Sequence, residues 1–187
     1  MPEKPRILST QTLVNTGVFH IEAVQLRFSN GEERTYQRSG IRQGAVAVMI
    51  VPLLDKDTFL LIREYAAGID DYTLAFPKGG MNENEDPLVT ANRELKEEVG
   101  YGARQLTLLK NMSTSPNYMR SHMSIVLAEE LYECREVGDE PEAIEVIPWK
   151  IKEIDALLRH EEFTEARSIA AVLLLERCLK NKNCSPD

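Results

Sequence analysis

The feature that most constrains this chain is the run from Gly79 to Tyr101, GGMNENEDPLVTANRELKEEVGY, in which Glu94, Glu97 and Glu98 fall within five residues. Asp86 is a good N-cap, and Pro87 suits the first helical position, where its missing N–H costs nothing. Gly100 supplies a stop, so the spacing predicts a helix over 87–99. Leu88, Ala91, Leu95 and Val99 recur at helical spacing and form one apolar stripe that must pack on a core. The three carboxylates share another face. Each like-charged pair there costs roughly 0.2–0.5 kcal/mol. Acids in the last turn also oppose the helix dipole, by about 0.3–1 kcal/mol each when exposed. On charge alone a solvated acidic face accounts for them. A hard divalent cation, which prefers several carboxylate oxygens, would turn the repulsion into attraction.

The spacing of the whole run decides between these. Gly79 is followed by five residues and Glu85, then by seven and Arg93-Glu94-Leu95, then by Lys96, Glu97-Glu98, Val99 and Gly100. Eight specified positions make a chance match on the order of 10⁻⁹ per window at ordinary composition. The pattern resembles the Nudix box, the signature of hydrolases that cleave a nucleoside diphosphate linked to another moiety. Tyr101 stands where a bulky aliphatic residue is usual.

Composition narrows the partners. Twenty-two basic and thirty acidic residues leave a net charge of −8. Sequence-independent nucleic-acid binding needs a basic surface, so that class is disfavoured. Cys134, Cys178 and Cys184 contain no Cys-x-x-Cys pair, which suits idle thiols in a reducing compartment. The start, MPEKPRILSTQT, has no apolar signal core, and no run approaches eighteen apolar residues. A cytoplasmic protein without membrane contact is expected.

Along the chain, 18–28 alternates in part and 32–38 returns after Asn30-Gly31, a hairpin turn signal. The apolar run 45–54 reads as a buried strand, with 58–65 returning after a turn. Strands are expected at 105–110, 123–132 and 143–149, and helices at 150–159 and 164–180. Strands alternating with helices give an α/β class with a mixed sheet.

The resemblance extends past the box, through FSNGEERTYQR, VMIVP, LIREYA, GDEPE and FTEAR, to Nudix hydrolases of the ADP-ribose pyrophosphatase type. It implies an α/β/α sandwich over 44–187, preceded by an N-terminal antiparallel hairpin within 1–43 that dimerises the chain. It implies magnesium-dependent (or manganese-dependent) hydrolysis of ADP-ribose, NADH and diadenosine triphosphate, releasing AMP. Glu94 and Glu98 become the leading metal ligands, with Glu97 sharing a metal or positioning water and the Lys78 carbonyl adding a ligand. Glu85 and Arg93 would pair and hold the loop, and Gly79 would let the backbone turn tightly. Arg63 and Pro116 are the candidate substrate-binding residues. The catalytic base is expected outside the box, in GDEPEAIEV, at Glu142 or Glu140. Because Pro141 restricts the backbone and Glu142 directly precedes a strand, Glu142 is the better placed of the two. FPKG before the box is closer to dinucleoside polyphosphate hydrolases. That specificity, or RNA-cap hydrolysis, is the alternative within enzymes, and a catalytically inert nucleotide sensor is the alternative outside them.

Overall fold

The apolar run read as a buried strand lies within the main sheet. A computed structural model describes residues 3–16, 19–40, 46–138 and 141–181. Its elements in chain order are β1 (Arg6–Asn15), β2 (His20–Arg27), β3 (Glu33–Ser39), β4 (Val46–Asp55), β5 (Thr58–Ala66), β6 (Asp71–Ala75), β7 (Lys78–Gly80), α1 (Pro87–Glu94), β8 (Tyr101–Ser113), β9 (His122–Glu133), β10 (Glu145–Lys150), α2 (Ile154–Leu157) and α3 (Ala166–Asn181). The main sheet runs β10-β5-β4-β9-β8, with β6 added to β5 and β7 to β4. β4 and β9 are parallel and the other pairs antiparallel, so the sheet is mixed, as expected.

Period-two alternation along β4 builds both layers. Val48 and Ile50 pack with Ala91, Leu95 and Val99 on one face. Met49, Val51 and Leu53 pack with Ala171, Val172 and Leu175 of α3 on the other. A strand buried on both faces reads as a continuous apolar run. Trp149 is partly buried against the α3-side cluster. The helix expected over 150–159 is shorter: a 3₁₀ turn at Ile151–Glu153 leads into the single turn of α2. Among the described residues, no helix is long and apolar enough to cross a membrane. Cys134 is a free thiol, and Cys178 is buried in the α3-side cluster.

The N-terminal unit is a separate three-stranded antiparallel sheet, β1-β2-β3, so the expected hairpin gains a third strand. β1 is exposed along nearly its whole length, and without a buried face it lacks the alternation that marks a strand in sequence. The sheet docks on the loop between β8 and β9, where the Ser39 N–H donates to the Tyr118 carbonyl at 2.7 Å. Beneath it, Glu22, only 7% exposed, meets Arg38 at 3.1 Å and Arg120 at 3.7 Å. The boundary expected between residues 43 and 44 lies outside the described residues.

Candidate active site

Asp86 caps α1 as its residue type predicts, its Oδ1 accepting the Leu88 N–H at 2.8 Å. The helix does not continue as α to Val99. From Leu95 to Val99 it widens into a π turn, closed by the Gly100 N–H donating to the Leu95 carbonyl at 3.1 Å. Gly100 has φ +85°, the left-handed conformation that stops a helix. A π turn admits an extra residue per hydrogen-bonded ring, and such turns recur at functional sites. Asn92 ties the helix to the sheet by accepting the Ala103 N–H at 2.9 Å. Tyr101 packs against the same apolar cluster as Val99, doing the work of the usual aliphatic residue.

This docking overturns the solvated-face picture. Glu94 and Glu98 are only 8% and 5% exposed. Glu98 Oε2 accepts the Lys78 backbone N–H at 2.9 Å, and among the described residues no ion pair engages it. Burial pushes its carboxyl up to about 8, with the Lys78 N–H and ammonium pulling the other way. The Lys78 ammonium itself pairs with Glu64. Arg93 organises the other acids: its Nη1 donates to Glu94 Oε1 at 2.7 Å and Glu97 Oε2 at 3.1 Å, and its Nη2 to the Gly80 carbonyl at 3.1 Å. Its Nε reaches Glu85 Oε1 at 3.5 Å. The Asn82 N–H, and after it Arg93, hold the Glu85 carboxyl below its usual range.

Gly79 has a different reason from the tight turn expected of it. It sits in β7 without a positive φ, and a Cβ there would lie 1.9 Å from Glu94 Cδ. The glycine makes room for a carboxylate against the strand backbone.

These groups line an open cleft of about 560 Å³, formed by Lys78, Gly79, Arg93, Glu94, Glu97 and Glu98 with Val137 and Gly138 at its rim. A second cleft of about 420 Å³ shares Glu97, Glu98, Val137 and Gly138 and extends to Glu142. Glu142 therefore lies beside the box acids although it is far away in sequence, and its Oε1 accepts from the Tyr72 hydroxyl at 2.8 Å. Glu140 lies outside the described residues. Arg63 lines neither cleft. It is bridged to Glu145 at 2.5 Å and to Glu162 at 2.9 Å. Pro116 is exposed in the β8–β9 loop that carries the N-terminal sheet, and it lines neither cleft. Sequence reasoning missed Glu64 and Tyr72. The strand pattern held a signal for Glu64: it follows Leu60 and Ile62 at period two, on the face toward α1.

Among the described residues, no three His, Cys, Asp or Glu side chains already form a cation-holding cluster. The donor set nonetheless suits a small hard cation, which keeps several waters and takes only one or two carboxylates. Two buried carboxylates, one without a cationic partner, meet that need.

Comparison with known proteins agrees with this geometry. Residues 5–38 match the NudE-type Nudix hydrolase N-terminal domain, and residues 44–173 match the NUDIX domain. The chain is 44% identical over 180 residues to ADP compounds hydrolase NudE of Escherichia coli (strain K12), covering 96% of each chain. It is 30% identical over 160 residues to ADP-ribose pyrophosphatase of Bacillus subtilis (strain 168), covering 84% of this chain and 83% of that one. A crystal structure of ADP compounds hydrolase superposes with TM-score 0.91 at 43% identity, over 97% of each chain. Enzymes of this kind generally use divalent metal ions. With the box complete, its acids gathered in one cleft and both domain models matched, the chain belongs to the Nudix hydrolase family.

Proposed function

We propose that this enzyme hydrolyses the diphosphate linkage of ADP-linked compounds, with ADP-ribose, NADH and diadenosine triphosphate as substrates and AMP as the shared product. The observation that carries the reading is the cleft in which Glu94 and Glu98 are buried beside Gly79 while Glu97 and Glu142 open onto its extension. The names of the relatives supply the ADP moiety. Glu94 and Glu98, with the Lys78 carbonyl, would hold magnesium, and manganese would replace it. A divalent cation there neutralises phosphate charge and lowers the pKa of bound water. Arg93 keeps Glu94 and Glu97 in place, braced by Glu85 and the Gly80 carbonyl. Glu142 orients the attacking water and takes its proton. Arg63 and Pro116 stand as the substrate-side residues, Arg63 binding the nucleotide after exchanging one of its two carboxylate partners for substrate.

Kinetics across a magnesium titration separate these roles. Glu142→Gln is expected to lower kcat by roughly 10²–10⁴ with KM and the magnesium requirement largely spared. Wild-type kcat in that variant would remove Glu142 as the base and return the role to Glu97, Glu98 or Glu140.

We also propose a homodimer formed through the unit within residues 1–43. Phe19, Ile7 and Tyr36 are 62%, 54% and 48% exposed, a large apolar area for so small a sheet. Ile21 is half-buried on one face of β2, and Leu26, opposite Ile7 in register, is half-buried on the other. Burying this face against a second copy would hide it, and twofold symmetry is the default for such pairs. Light scattering at micromolar protein should give twice the chain mass; a monomer with full activity would sink the idea.

A further inference from the structure

We infer that Tyr72 is a positioning residue for Glu142, which rests on the reading of Glu142 as the base. Glu142 sits in a loop, and loop carboxylates sample many rotamers unless something holds them. Here the Tyr72 hydroxyl donates to Glu142 Oε1 at 2.8 Å, joining residues 70 positions apart in the chain. The phenol is itself anchored. Tyr72 lies on β6, paired in register with Tyr65 of β5, and the two rings meet edge to face at 5.6 Å and 74°. A donor on a sheet strand therefore reaches a carboxylate at the end of the cleft that also contains Glu97 and Glu98. Glu142 raises the Tyr72 phenol above its ordinary value, first through this hydrogen bond and then through its charge. The phenol thus stays protonated as a donor in the pH range where a carboxylate base works. With one oxygen bound to Tyr72, the other oxygen is left to accept from water.

The test is a double-mutant cycle with Tyr72→Phe, which removes only the hydroxyl and keeps the ring against Tyr65. In the otherwise wild-type enzyme, kcat on ADP-ribose with saturating magnesium should fall about tenfold while KM changes less than about twofold. In a Glu142→Gln background the same change should cost nothing further, because the group being positioned is no longer a base. A merely structural tyrosine would act equally in both backgrounds and lower the melting temperature in both. Undiminished kcat in Tyr72→Phe, or an equal loss in both backgrounds, overturns the positioning role and leaves the base assignment standing. Wild-type kcat in Glu142→Gln alone overturns both.

Discussion

Glu98→Gln is expected to abolish most turnover, lowering kcat by about 10³-fold or more, while leaving the fold intact. Glutamine keeps the size of the side chain and can still accept the Lys78 N–H that Glu98 accepts at 2.9 Å. What it loses is the charge. In the folded chain a charge there would be buried with no ionic partner among the described residues, so burial pushes the carboxyl up to about 8 and it carries its full charge near neutral pH only when a cation is bound. A buried, unneutralised carboxylate is costly, and a bound cation reverses the cost. Magnesium should therefore raise the melting temperature of the wild-type protein and leave that of Glu98→Gln nearly unchanged. Melting curves with and without magnesium check this. A variant stabilised by magnesium as strongly as the wild type would remove Glu98 from the ligand set.

Gly79→Ala should separate stability from activity in a different way. The added Cβ would fall 1.9 Å from Glu94 Cδ and 2.1 and 2.2 Å from its oxygens, so the carboxylate must move. The obstacle is the end of a side chain rather than backbone, so the helix need not leave the sheet. The displaced carboxylate also carries the 2.7 Å bond from Arg93, so the disturbance spreads to Glu97. Misplacing a ligand by about 1 Å is enough to cost roughly 10² in kcat/KM. The magnesium concentration for half-maximal activity should rise at least about tenfold, with far-ultraviolet circular dichroism unchanged. A variant with wild-type magnesium dependence would show that Glu94 does not need this strand face.

What could be read in advance follows from how local each feature is. Asp86, Pro87 and Gly100 act on their neighbours within one turn, so the helix start and stop were legible. The π turn was not, because Ala91, Leu95 and Val99 satisfy an apolar stripe whichever hydrogen-bond ring closes it. The burial of Glu94 and Glu98 was hidden for a related reason. Charged residues read as solvent-facing until the strand backbone that covers them is in place. β1, exposed at nearly every residue, offered no periodicity to read. Tyr72 and Glu142, or Arg63 and Glu162, meet only through tertiary structure across 70 and 99 positions. Local pattern therefore reached the box and the layered core. The pairing of β6 with the Glu142 loop required the fold.

The box carboxylates are proposed to serve the hydrolysis of an ADP-linked diphosphate. The most direct test of that role is a panel of ADP-ribose, NADH, diadenosine triphosphate and a capped RNA, each incubated with the protein and magnesium, or manganese, with products resolved by chromatography. AMP is expected from the three ADP-linked compounds, with none after chelation and no turnover of the capped RNA. Absence of AMP from every adenine-containing diphosphate with either metal would contradict that role.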